Sequence, residues 1–307
     1  MYTLQVRGAK MKILLLLMPC CFLYVNAYCQ ELEARSYANL PKNMNAVAVG
    51  YAISTGSVVV DAALPVEDIE VTAHSIAARY VRTFGVAQKL ARINVVVPYV
   101  TMEGQAKVIG QDTSTTRTGF GDARVQVGIN LIGSPALDRK EFNKYSQKTI
   151  VGISLITSMP TGLYYKDKRV NLGNNRWGFK PEIGASKKFK RIYADGYVGM
   201  WFYAKNKDYL VSKVKKQEPL LSTQLHLSYY FKNQMMVGLN GNWFSGGKTF
   251  INDVALIGPF EHMRAGATWA VPLSGKHLFK LQFHTSVYTN TGLNFDSLAF
   301  GYQYVFF

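Results

Sequence analysis

Between Gly119 and Gly133 the odd positions carry Ala123, Val125, Val127, Ile129 and Leu131, while the even ones carry Asp122, Arg124, Gln126 and Asn130. Side chains of a strand point alternately to opposite faces, so this stretch has one apolar and one polar face. The division recurs along the chain. Leu221, Thr223, Leu225, Leu227, Tyr229 and Phe231 oppose Ser222, Gln224, His226 and Ser228. Met263, Ala265, Ala267, Trp269 and Val271 oppose His262, Arg264, Gly266 and Thr268, and Phe279, Leu281, Phe283, Thr285 and Val287 oppose Lys280, Gln282, His284 and Ser286. The second strand and the strand around Pro181 follow the rule less cleanly. A soluble sheet on a core and the wall of a membrane barrel both produce such faces, so the pattern alone leaves the two open.

The pattern predicts twelve strands, at 45–59, 70–84, 91–108, 120–133, 148–160, 178–187, 191–205, 220–232, 235–249, 260–273, 277–289 and 297–307. After Gln30 no apolar run is long enough for a membrane-spanning helix. The connections alternate in length: 85–90, 188–190, 233–234 and 274–276 are short, while 61–69, 109–119, 161–177, 206–219 and 250–259 are long. Short periplasmic turns and long external loops are the habit of outer-membrane barrels. One inner connection, 134–147, is long, polar and able to hold a short helix. The chain ends on an alternating aromatic strand with Phe300, Tyr302, Tyr304 and Phe306 on one face and Phe307 last. That is the closing strand of such barrels and the part expected to meet the barrel-assembly machinery. The expected fold is therefore all-β: a transmembrane antiparallel β-barrel of about twelve strands with periplasmic termini, in a bacterial outer membrane.

The N-terminus agrees with export. Arg7, Lys10 and Lys12 precede an apolar run from Ile13 to Val25 that ends in Asn26-Ala27-Tyr28-Cys29. This is the layout of a signal peptide, residues 1–29, with Met11 the natural start, and the run is shorter than the about 20 residues of a spanning helix. Cys20, Cys21 and Cys29 are the only cysteines, in poor contexts for lipid attachment, so a chain starting at Gln30 has no disulfide or thiol chemistry. Three basic residues and no acidic one leave with that segment, and the formal charge falls from +16 to +13. Nucleic acid is the first partner such a charge suggests but is not expected for an exported chain; the Lys-rich stretches 187–191 and 213–216 fall between strands and suit solvated loops or anionic lipid headgroups. Residues 30–44 make a short periplasmic segment before the barrel (45–307), too short for a plug domain but able to occlude the lumen in part.

In this register the lumen is lined by Asp122, Arg124, Gln126, Asn130, Lys180, Glu182 and Gln224, and further round by His226, Asn240, Asn242, Arg264, Lys280, Gln282 and His284. Such groups either set selectivity for a passing solute or pair with one another, Asp122 with Arg124 and Lys180 with Glu182. Trp177, Phe179, Trp201, Trp243, Trp269, Phe300, Tyr302, Tyr304 and Phe306 are expected at the membrane interfaces. His226-Leu-Ser228 and His284-Thr-Ser286 have the spacing of a histidine base and a serine nucleophile on one strand face, which keeps a lipid hydrolase as the rival reading. A structural or adhesive barrel is a third. No cofactor or metal-ligand cluster is expected, and a monomer is.

Several segments also resemble a known family. They are Arg117-Thr-Gly-Phe-Gly-Asp122-Ala-Arg124, the stretches 130–137 and 147–152, Asn171-Leu-Gly-Asn-Asn-Arg176-Trp177, and Lys180-Pro-Glu182-Ile-Gly184; Arg35-Ser-Tyr-Ala-Asn-Leu-Pro41 and Val97-Pro98-Tyr99 are similar too. They are similar to the phenol-degradation meta-pathway family of outer-membrane proteins, often labelled transporters. The resemblance covers essentially the whole exported chain. It implies a barrel and a role in moving small aromatic compounds, and it supplies no functional residues.

Overall fold

A computed structural model gives the fold and describes residues 33–59, 66–108, 110–168, 170–290 and 292–307; the expected signal peptide lies outside them. In chain order the elements are β1 (Asn45–Val59), β2 (Val66–Val86), β3 (Lys89–Val108), β4 (Gln111–Phe120), β5 (Arg124–Ile132), α1 (Arg139–Phe142), β6 (Ile150–Ser158), β7 (Gly178–Phe189) and β8 (Ile192–Tyr203). There follow β9 (Asn206–Tyr209), β10 (Lys213–Gln217), β11 (Leu220–Tyr230), β12 (Met236–Gly246), β13 (Thr249–Ile251), β14 (Val254–Ile257), β15 (Phe260–Pro272), β16 (His277–Thr289) and β17 (Gly292–Phe306).

The long strands form one antiparallel sheet that closes on itself, because β1 pairs with β2 on one side and with β17 on the other, Asn45 opposite Phe306. β4 and β5 both pair with β3, at different heights, so together they make one wall strand interrupted at 121–123. The result is a twelve-strand barrel closed around its circumference, in which the far edge of β4, paired to β3 alone, lies outside the ladders. The short β9, β10, β13 and β14 form a separate four-stranded sheet built from the connections 204–219 and 247–259.

The register follows the alternation. In β7, Gly178, Lys180, Glu182, Gly184 and Ser186 are buried while Phe179, Ile183 and Phe189 are exposed. In β11 and β12 the buried members are Gln224, His226, Ser228, Asn240 and Asn242, and the exposed ones Leu225, Leu227, Val237 and Leu239. An exposed apolar outside around a buried polar inside is the reverse of a soluble sheet and fits a wall facing lipid.

Three expectations need correction. Residues 109–119, read as a loop, are largely β4, and β2 and β3 run to 21 and 20 residues, about twice the 9–11 that span a bilayer. Beyond the apolar band the polarity of the wall inverts. Outward residues there are polar (Thr101, Glu103, Gln105), while Ile69, Val71, Val100, Met102, Ala106 and Phe295 form a buried apolar cluster inside the mouth, closed by Val170 and Leu172. A strand in water on its outer side has no reason to keep the lipid-facing pattern. Third, Trp201, expected at the interface, faces the interior and is 1% exposed. It shares the inward phase of β8 with Asp195, Tyr197 and Gly199.

The long connection 133–149 carries α1, whose first turn is closed by the Asp138 N–H donating to the Glu141 carboxylate at 3.2 Å. The remaining turns at this end are short, and β1 begins and β17 ends there; we call it the short-turn end, and the opposite one the long-loop end.

Candidate functional site

The interior is entered from the short-turn end by the segment before β1. Residues 33–40 run inside the barrel and are anchored at almost every position. Arg35 donates to Asp195 Oδ1 (3.1 Å), Ser186 Oγ (2.8 Å) and Gln147 Oε1 (2.9 Å), with its guanidinium 4.0 Å from the centre of the Tyr193 ring. The Ser36 N–H donates to the Tyr197 hydroxyl at 3.0 Å. Arg92, from β3, donates to the carbonyls of Ser36 and Ala38. Glu33 is paired with Arg79 and Lys280. Burial pushes the Glu33 carboxyl up, but those two cations outweigh it and hold it at about 2.

Tyr37 is the centre of this strap. Its hydroxyl donates to Glu182 Oε1 (3.1 Å) and meets Ser154 Oγ (3.0 Å), and Ser154 in turn accepts from Gln126 Nε2 (3.2 Å). Burial, and then the neighbouring Glu182 charge, raise the Tyr37 phenol, so it stays protonated and donates. The ring lies over Gly152 and Gly184, which face each other across β6 and β7. A Cβ on Gly184 would stand 2.2 Å from the ring, and one on Gly152 2.6 Å. Sequence reading allowed this segment to occlude the lumen and marked 35–41 for its family resemblance, but gave none of its residues a role. The two registered glycines were the available signal.

Beside the strap, Lys180 and Glu182 form an ion pair at 3.0 Å with side chains 1% and 3% exposed. Lys180 also lies 5.5 Å from the Trp201 ring. Asp122 is engaged differently from the expected pairing with Arg124. Its carboxylate accepts from the N–H groups of Gly162 (3.0 Å) and Asn174 (2.8 Å) and from Asn174 Nδ2 (3.0 Å), which pins the connection 159–177 across the long-loop mouth.

Between strap and loop is a cavity of about 290 Å³. A contiguous arc of β17, β1, β2 and β3 lines it with the small or apolar Ala299, Ala48, Ala52, Ala77, Val96, Pro98 and Val100, among which Gln303, Ser75, Arg79 and Asn94 are also set. The rest of the circumference is mostly polar, with Arg124, Gln126, Lys180, Glu182, Gln224, Lys280, Gln282 and His284, and adds Ile156, Trp201, Tyr203 and Leu278. Glu33 and Ser36 floor it, and Leu172 and Asn174 roof it. The other expected lining residues, Asn130, His226, Asn240, Asn242 and Arg264, are buried on the inner face without bordering this cavity. Asn130 Nδ2 donates to the carbonyl of Tyr37 (3.3 Å) and so supports the strap.

Neither histidine and serine pair is assembled for hydrolysis. His226 Nδ1 is bonded to Asn240 Oδ1 (2.8 Å), and Ser228 Oγ has no partner. The Ser286 hydroxyl is taken by the backbone of Phe295, which it meets at 3.0 and 3.3 Å. Among the described residues no group of three His, Cys, Asp or Glu is placed to hold a metal. On the outer surface, Trp177 stacks on Phe179 with ring centres 6.1 Å apart, Trp243, Trp269, Phe300 and Tyr302 are exposed, and Tyr304 stacks on Phe306, half-buried.

An outer membrane channel from Pseudomonas putida F1 has a similar structure, with a TM-score of 0.77 over 90% of this chain and 100% of that one, at 20% identity. The β domain of the Bordetella autotransporter BrkA matches at a TM-score of 0.50 and 11% identity, over 86% of this chain and 100% of that one. These likenesses show the fold of an outer-membrane barrel. A search of curated proteins gave no match. Residues 46–301 match the family model described as "Putative MetA-pathway of phenol degradation", and the chain belongs to that family.

Proposed function

We propose that the protein is an outer-membrane channel for small apolar or aromatic molecules, exported by its signal peptide and inserted as a monomer with its termini in the periplasm. The observation that carries this reading is the mixed lining of the interior cavity. Small apolar and aromatic side chains interleaved with charged and amide groups suit a solute with an apolar body and a polar group, as phenolic compounds have. The bore supports the same size class. Twelve strands lie between the filled eight-stranded barrel and the open water channels of 16 to 18. The strap narrows it further, so proteins and polysaccharides are too large to pass. Outside, the exposed tryptophans and tyrosines make interfacial girdles, and the aromatic β17 is the segment offered to the assembly machinery.

Single-channel recording in planar bilayers tests the proposal. Small, discrete conductance steps are expected, and partial block by a phenolic solute added at either face. Closed bilayers at every voltage, with no uptake of such solutes into liposomes carrying the protein, would remove the channel reading.

A further inference from the structure

The inner wall of β11, β12, β15 and β16 holds a polar group that neither the strap nor the cavity explains. Two rows cross these strands in register. Gln224, Asn242, Arg264 and Ser286 stand at one level; His226, Asn240, Gly266 and His284 stand one step closer to the short-turn end. Gly266 leaves room that the His284 ring fills, since a Cβ there would be 2.2 Å from His284 Cδ2. The imidazole is thus laid beside Arg264.

Arg264 and Asn242 are 4% and 3% exposed. Yet Arg264 Nε and Nη2, both atoms of the Asn242 amide, and Nε2 of His284 have no hydrogen-bond partner. A buried guanidinium without a counter-charge is costly, and so is each buried polar atom left unbonded. Among the described residues the acids of the interior are each paired elsewhere. Asp195 holds Arg35 through Oδ1 and leaves its Oδ2 unbonded, Glu182 holds Lys180 and Tyr37, Glu33 holds Arg79 and Lys280, and Asp122 holds the loop. What this group lacks is an anion.

The unbonded atoms also say which anion. Nε and Nη2 form one edge of the guanidinium fork, the edge that meets both oxygens of a carboxylate in parallel. Asn242, directly opposite Arg264, offers a further N–H. One step toward the long-loop end on β12 is Phe244, packed with Trp201, Leu220 and Phe260 in a buried apolar cluster. We propose that Arg264 and Asn242 form a binding site for an aromatic monocarboxylate, with the carboxylate on the Arg264 fork and the ring against Phe244. Gln224, in register with Asn242, and His284, opposite Gly266, are the members of the two rows that border the cavity, and a ligand would reach Arg264 past them. The site exists as a binding site whether or not the barrel conducts; only its place on a permeation route rests on the channel reading.

The test is an equilibrium titration of the purified full chain in detergent micelles, by calorimetry, with benzoate, benzamide and acetate as probes. Benzoate is expected to bind saturably and more tightly than either benzamide, which lacks the charge, or acetate, which lacks the ring. Arg264→Gln and Arg264→Lys should each weaken benzoate at least about tenfold, the second because a lysine keeps the charge without the fork. Benzamide bound as tightly as benzoate, or benzoate binding unchanged in Arg264→Gln, would overturn the proposal. If the arginine variants fail to fold, shown by loss of the heat-dependent gel shift of a barrel, Asn242→Ala decides, with weaker benzoate binding supporting the site and unchanged binding removing it. Conductance recorded on the same preparation keeps the readings apart: conductance without benzoate binding removes only the site, and binding without conductance removes only the channel.

Discussion

Gly184 is the residue on which the occupied interior turns most visibly. It sits mid-strand, where a glycine packs nothing and weakens the ladder, and its use is the ring of Tyr37 lying against the bare backbone. Replacing it by alanine puts a methyl carbon 2.2 Å from Cε2 and 2.4 Å from Cδ2 of that ring. The wall backbone cannot retreat, so the ring must. It then loses its bonds to Ser154 and Glu182, one neutral and one to a charged carboxylate, together roughly 2–4 kcal/mol of docking energy. The expected outcome for Gly184→Ala is a strap released from an intact barrel. Trypsin should cut after Arg35, now guarded by Asp195, at least about tenfold faster than in the wild type. The heat-dependent gel shift should be unchanged. Equal protection in the two proteins would show that Tyr37 does not hold the strap. The sequence displays Gly184 as an interruption of a strand; what approaches it comes from a segment more than a hundred residues earlier, and no periodicity can show that.

At the scale of elements, the alternation was readable where one face of a strand meets lipid and the other the interior, as in β11, β12 and β15, and less so in β7, where Pro181 and the glycines blur it. It failed where that contrast is absent. In β4, both faces of Gln111–Thr118 are polar or exposed, so nothing in the pattern separates strand from loop. In β16 an extra residue intervenes: Met263 pairs with Tyr288 but Arg264 with Ser286, so Val287 and Tyr288 are both exposed and Thr289 turns inward to His262. Trp201, by contrast, was legible. The register that puts Asp195 inside puts Trp201 inside as well, and the interfacial habit of tryptophan obscured it. The break between β4 and β5 has its own purpose, because it frees Asp122 to hold the connection 159–177. Asp122→Ala strands three N–H donors, two backbone and one side chain, at about 1–3 kcal/mol each where water cannot reach them. Hydrogen exchange should report this locally. The amides of Gly162 and Asn174 should exchange at least about tenfold faster, while wall amides such as Val127 and Ile153 keep their protection. Faster exchange throughout the wall, or none at the loop, would contradict a dedicated anchor.

For the molecule as a whole, closure and filling are separate problems with separate solutions. The barrel closes through the β1 and β17 ladder alone, so the strap is not needed to complete the sheet. What the strap does is neutralise and obstruct. It brings Glu33 to Arg79 and Lys280, Arg35 to Asp195, and two carbonyls to Arg92. Removing residues 33–40 therefore uncovers three wall cations, Arg79, Arg92 and Lys280, against one newly bare acid, Asp195, while Lys180 and Glu182 continue to cancel each other. A narrow lumen with low-dielectric walls concentrates such an imbalance. The deletion is expected to fold, to conduct several times better than the full chain in planar bilayers, and to prefer anions, read as a shift of the reversal potential in a salt gradient. Adding Arg79→Gln and Lys280→Gln to the deletion should return that potential toward zero and leave the larger conductance in place, because bore and charge are then set by different residues. A deletion whose conductance equals that of the full chain would mean that the strap is not the constriction, and that the narrowest point lies instead at the loop held by Asp122.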